Sequence, residues 1–171
     1  MGSSADSLFS SYRERLIEHL FVGEVLRHLW ISGVPQVEVL RSEVDSAGYD
    51  LVLECQSIVR HVQLKAARVG GKRANVGVNM NLAAKPGGCV VWVYFDPETL
   101  KLGPFLWFGS APGKPLPVLI GLKVGKHSKG DSTGHKAKRP NIRIVPKGRF
   151  ERVETVPEVV ALLFQARKDI P

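Results

Sequence analysis

Residues Cys89 to Phe95 read CVVWVYF, an apolar run with no polar alternation. A run of this kind is typical of a central strand buried on both faces, so the chain is expected to build a sheet and to cover it. One cover is visible upstream. Leu16, Leu20, Val22, Val25, Leu26 and Leu29 recur at helical spacing; Ser11 with Glu14 fits a capping box, an alternative start lies nearer Asp6, and Ser32-Gly33 stops the helix. Strand candidates follow at Val37–Leu40, Leu51–Glu54 and Val59–Ala66, and Asn75 to Leu82 alternates as a half-buried strand with Asn75, Gly77, Asn79 and Asn81 on its polar face. After the turn Asp96-Pro97-Glu98-Thr99, Phe105 to Phe108 continues the sheet as a hairpin. Pro112, Pro115 and Pro117 mark a loop before a further apolar stretch, Val118 to Val124, and Asn141 to Val145 returns as a strand. Thr155 with Glu158 makes a second capping box ahead of a closing helix striped by Val156, Val159, Val160 and Leu163. The expected fold is α/β, a mixed central sheet flanked by helices, in one domain over residues 1–171.

Charge narrows the partners. The chain carries a formal net charge of +8, distributed unevenly. Residues 1–60 hold five Arg and Lys against nine Asp and Glu, a balance of −4; residues 61–171 hold nineteen against seven, a balance of +12. A basic surface confined to the later part favours a polyanion such as DNA or RNA, whereas a solvated lysine face accounts for the same composition without a ligand. Residues 125–140, GKHSKGDSTGHKAKRP, concentrate that charge in a segment low in apolar residues, expected to be a mobile excursion. No apolar run approaches the roughly 20 residues of a membrane helix, MGSSADS lacks the features of a signal peptide, and two cysteines without metal-ligand spacing suit a reducing cytosol.

The stretch GYDLVLECQSIVRHVQLKAA, residues 48–67, puts polar groups where core residues are expected. With Gln56-Ser57 as the hairpin turn, Asp50 lies opposite Gln63. Period-two alternation then sets Leu51, Leu53, Val62, Leu64 and Ala66 on one face, and Asp50, Gln63 and Lys65 on the other. From the first helix, Glu24 interrupts the apolar flank of Ile17, Leu20, Phe21 and Ile31, with Glu18 a weaker candidate for the same role. On the helix pattern alone, Glu24 reads first as a surface carboxylate paired with Arg27 or His28. The hairpin has its own structural reading too: Asp50 begins a strand, Gln63 satisfies it, and Lys65 forms an ion pair.

A helix Glu, an Asp opening a strand after Gly48-Tyr49, and the strand Val62-Gln63-Leu64-Lys65 resemble the PD-(D/E)xK, or restriction-endonuclease-like, superfamily. The similarity is to the branch with Gln in place of the second acidic residue, and it covers roughly residues 8–108. The resemblance implies a Mg²⁺ (or Mn²⁺) ion held by Asp50, the side-chain oxygen of Gln63 and the carbonyl of Leu64. It implies that Lys65 orients water or stabilises developing charge, and that Glu24 acts from beyond the ligands. The departure from the commonest pattern is Gln63, which removes one negative charge from the ligand set.

Arg68, Lys72 and Arg73, just after the QxK strand, are placed to touch phosphate, as are Lys126, Lys129, Lys136, Lys138 and Arg139 in the basic segment. Gly70-Gly71-Lys72 lacks the spacing of a phosphate loop, and His127 and His135 have no Cys partners. Trp92, Phe105, Trp107 and Phe108 are more readily core than base-stacking groups. The expected activity is metal-dependent hydrolysis of nucleic acid, DNA ahead of RNA, in the cytoplasm, with no membrane partner and with a homodimer compatible. The alternative is a non-catalytic nucleic-acid-binding or protein-interaction module that keeps the same fold.

Overall fold

The computed structural model describes residues 9–42, 47–127, 134 and 136–164. Helix α1 (Ser10–Ile31) leads into strands β1 (Val37–Arg41), β2 (Leu51–Cys55) and β3 (Ile58–Arg68). Strand β4 (Asn75–Asn79) and the short helix α2 (Met80–Ala83) follow, then β5 (Gly88–Phe95), β6 (Leu102–Gly109), β7 (Val124–Lys126), β8 (Lys138–Pro146), β9 (Glu151–Val153) and helix α3 (Val156–Phe164). Six strands form one sheet in the order β1-β2-β3-β5-β6-β9, and three form a second in the order β4-β8-β7. The larger sheet is mixed, because β3 and β5 run parallel while β1–β2, β2–β3, β5–β6 and β6–β9 are antiparallel. The chain is therefore α/β with a mixed sheet flanked by helices.

Alternation along β5 divides the interior in two. Cys89, Val91, Val93 and Phe95 join Phe105 and Trp107 of β6 against α1 and α3, through Phe21, Val25, Val160 and Leu163. The other face of β5, Val90, Trp92 and Tyr94, packs with Leu106 and Phe108 against Val76, Val78 and Val145 of the second sheet and Leu82 of α2. Every residue of β5 is buried, as its unbroken apolar sequence requires. The polar face expected for the β2–β3 hairpin is thus under cover as well, by the second sheet, and Gln63 keeps only 5% of its surface exposed.

The hairpin register is the expected one: Leu51 pairs with Val62 and Cys55 with Ile58 around a two-residue turn. Gln56 and Ser57 take φ of 49° and 67°, the left-handed values that a tight turn matching the strand twist demands. At the end of α1, Gly33 (φ 77°) closes a Schellman motif, with Val34 N–H donating to the Leu29 carbonyl at 2.9 Å and Gly33 N–H to that of Trp30 at 3.1 Å. Thr155 and Glu158 make their box: the Glu158 carboxylate accepts from the Thr155 N–H at 2.8 Å, and the Glu158 N–H donates to Thr155 Oγ1 at 3.4 Å.

Several local expectations are corrected. The Ser11–Glu14 box does not form, because the N-cap of α1 is Phe9, two residues before Ser11, and it makes no side-chain cap; the alternative start nearer Asp6 lies outside the described residues. Residues 75–82 are not one strand: Asn79 Oδ1 accepts from the Asn81 N–H at 3.0 Å, and this cap turns the chain into α2 while Leu82 still reaches the core. Of Val118 to Val124 only the last residue enters a strand, with Ile120 fully at the surface. Gly125, Lys126 and Lys138–Pro140 belong to the β7–β8 ribbon and not to an excursion; Lys129 and His135 lie outside the described residues.

Candidate metal and phosphate site

The site follows from a mismatch in strand length. Strand β3 spans eleven residues, but β2 spans five and pairs only with Ile58–Val62. On its other side β3 stays paired with β5 through Arg68. From Gln63 onward one edge of β3 is therefore not covered by β2, and a cavity of about 860 Å³ lies there. Its floor is Gln63, Leu64, Lys65 and Ala66, with Asp50 immediately before β2; Ser11, Glu14, Arg15 and Glu18 of α1 form one wall, and Asn75, Gly77, Asn79, Lys126, Arg139 and Ile142 of the second sheet the other.

Backbone hydrogen bonds fix Asp50. Its N–H donates to the Val62 carbonyl at 2.9 Å, and its Oδ2 accepts from the Leu64 N–H at 2.7 Å. The Leu64 carbonyl leaves β3 on the same edge as its N–H, so it too faces the Asp50 side. Gly48 supplies the approach, with φ of 79° and no room for a side chain: a Cβ there would sit 2.6 Å from the Cβ of Asn79. The loop before Asp50 is thereby pressed against β4. Gln63 lines the cavity, and its Oε1 is buried with no hydrogen-bond partner among the described residues. A buried acceptor left without a partner is costly unless a cation or donor joins it.

The helix carboxylates that line the cavity are Glu14 and Glu18, and Glu24 is not among them. Glu18 is 8% exposed and is held by Arg15 at 3.1 Å and by Arg41 from β1, whose Nη2 also lies 3.0 Å from His19 Nδ1. Glu24 does not line the cavity; it pairs with Arg27 at 2.6 Å on an exposed surface, the local pairing that its spacing allowed. Its flank was misaligned, because Ile31 is 71% exposed and the buried row runs Ile17, Glu18, Phe21, Val25. Of the basic candidates, Arg73, Lys126 and Arg139 line the cavity, while Arg68, Lys72, Lys136 and Lys138 do not. Trp92, Phe105, Trp107 and Phe108 are buried in the two cores. Asn75 and Asn79 were not singled out, although their place on the polar face of an alternating strand was the available signal.

Among the described residues no three His, Cys, Asp or Glu side chains gather in one place. A divalent ion at this site would therefore draw on the amide oxygen of Gln63 and on backbone oxygen besides Asp50, a hard-oxygen set that suits Mg²⁺ or Mn²⁺. No helix among the described residues is long and apolar enough to cross a membrane. Neither a protein-family model nor a curated protein matches this sequence.

Proposed function

We propose that the chain is a metal-dependent phosphodiesterase acting on nucleic acid, with a restriction-endonuclease-like core. One observation carries the reading: Asp50, Gln63, Leu64 and Lys65 line a single cavity in which the Gln63 Oε1 is buried and without a partner. The order of helix, antiparallel meander and a parallel partner for the QxK strand also supports it. Asp50, Gln63 and the Leu64 carbonyl are the donors that would hold the ion, whose chemistry when bound is Lewis acidity toward a phosphate oxygen. Lys65 brings an ammonium to the same cavity and stabilises charge that develops on the phosphate. Glu18 acts as a positioning residue, pairing with Arg15, which lines the cavity, and with Arg41 of β1.

Asp50→Ala and Lys65→Ala are each expected to lower cleavage of plasmid or oligonucleotide about a hundredfold or more in Mg²⁺, with thermal stability and polyanion affinity retained. Wild-type cleavage is expected to vanish in EDTA. A matching loss of melting temperature in both variants, with no metal-dependent cleavage in the wild type, sinks the reading. A non-catalytic module is then favoured, and one contact already points that way: Asp50 Oδ2 is engaged by the Leu64 N–H.

A further inference from the structure

We infer that Asn79 is the positioning residue of the metal site: from the second sheet it backs Gly48, and so fixes where the Asp50 carboxylate stands. The inference rests on the reading above in taking Asp50 as a metal donor. It adds that affinity for the ion depends on a sheet that supplies none of the donors.

The contact is close and stiff. Gly48 has φ of 79°, and a Cβ on it would meet the Asn79 Cβ at 2.6 Å and Cγ at 2.8 Å, where ordinary contact begins near 3.4 Å. The backbone of Gly48 therefore lies directly against Asn79, with no layer of side chain between. Asn79 is itself held from two directions. It ends the β4–β8 ladder opposite Ile142, and its Oδ1 accepts from the Asn81 N–H at 3.0 Å to cap α2. Tyr49 leans on the same part of the chain. Its ring meets that of His61 edge-on at 4.9 Å, Lys85 Nζ lies 5.7 Å from its centroid, and His61 Nδ1 lies 3.0 Å from the Pro86 carbonyl oxygen. Both residues that lead into Asp50 are thus braced by the connection from β4 through α2 to β5.

Magnitudes decide how much this brace matters. A side chain at position 48 has to back away from Asn79 by about 0.8 Å to reach ordinary contact, two residues from a carboxylate whose distance to an ion holds to about 0.2 Å. The atom it meets is a Cβ carried by paired backbone, not the end of a flexible side chain. The Gly48 side gives way, and Asp50 shifts relative to Gln63 and the Leu64 carbonyl. Loss of a contact that orients a metal donor costs about tenfold or more in affinity.

Calorimetry of Mn²⁺ binding to the full chain, with a melting curve for each variant, tests this. Gly48→Ala should lower Mn²⁺ affinity about tenfold or more. Asn79→Gly removes the backing while glycine still serves as an N-cap for α2, and should lower it about fivefold. In the double variant Gly48→Ala/Asn79→Gly the added methyl has room, so Mn²⁺ should bind about threefold tighter than to Gly48→Ala alone. Gly33→Ala controls for backbone strain: φ there is 77° with nothing within 4 Å of the added Cβ, so the melting temperature should fall and Mn²⁺ affinity stay that of the wild type. A Gly48→Ala protein that melts lower yet binds Mn²⁺ like the wild type overturns the inference, as does a double variant no tighter than Gly48→Ala. If Gly48→Ala does not fold, Asn79→Gly decides alone, and wild-type affinity there overturns the inference. A wild type that binds no Mn²⁺ overturns the metal reading and the inference with it; the other failures leave that reading standing.

Discussion

Gln63 is where the chemistry of a single residue decides most. Its neighbours across the parallel ladder are apolar, Val90 beside it and Trp92 beside Lys65, yet it carries a carboxamide with a buried, unpartnered oxygen. A leucine-like side chain would pack there at no polar cost, so the carboxamide needs a ligand to justify it. Gln63→Glu preserves the shape and adds a negative donor beside Asp50. Mn²⁺ affinity measured by calorimetry is expected to rise about tenfold, with more protons released on binding, since two adjacent carboxylates in the metal-free protein raise one pKa. Turnover need not follow. If the variant instead loses stability that Mg²⁺ does not restore, Gln63 is a structural group and not a ligand.

At the scale of elements, the closing helix offers a test through pH. The Glu158 carboxyl lies below the ordinary glutamate range, first because the Thr155 hydroxyl donates to it and then because the N–H groups of Thr155 and Glu154 do. A carboxylate whose folded pKa is depressed stabilises the fold above its unfolded pKa, and that contribution is lost as pH falls through the folded value. Melting curves of wild type and Glu158→Gln are therefore expected to differ at neutral pH and to converge from about pH 4.5 downward. A constant difference across that window would mean the box contributes through shape alone. The Gln56-Ser57 turn shows the opposite balance, because both residues sit at left-handed φ without glycine, and the strand register overrides the local cost.

For the whole molecule, Arg60 ties the layers together. It is fully buried and has no carboxylate partner among the described residues; its guanidinium donates to the carbonyls of Leu163 at 2.7 Å, Leu162 at 2.8 Å, Ser110 at 2.9 Å and Gly87 at 3.4 Å, and lies over the Trp107 ring. Two of those carbonyls end α3, where the helix dipole favours a cation. Burial pulls the Arg60 pKa down and pushes the Cys89 thiol up to about 12, so the thiol stays protonated at neutral pH. Arg60→Met would leave the carbonyls without their donors, and denaturant titration is expected to show a loss of about 3 kcal/mol or more. A loss under about 1 kcal/mol would mean that α3 does not depend on this contact.

The sequence by itself determined the elements whose signals are local. The apolar run of β5, the register around Gln56-Ser57, the glycine stop of α1 and the Thr155–Glu158 box are all set by neighbours a few residues apart. That Asp50, Gln63, Leu64 and Lys65 lie close enough to line one cavity was legible because period-two alternation and hairpin pairing place them without reference to the rest of the chain. Tertiary structure alone decided that Glu14 and Glu18 line the cavity and Glu24 does not, since helical spacing leaves all three carboxylates available and only the packing of α1 selects the face that meets it. It also decided that the polar face of β3 is covered, because β4, β7 and β8 come from distant parts of the chain and meet only as a second sheet. The cavity itself is a long-range product of that kind: β3 outruns β2, and the space left beside it is walled by α1 and by strands about 60 residues apart in sequence.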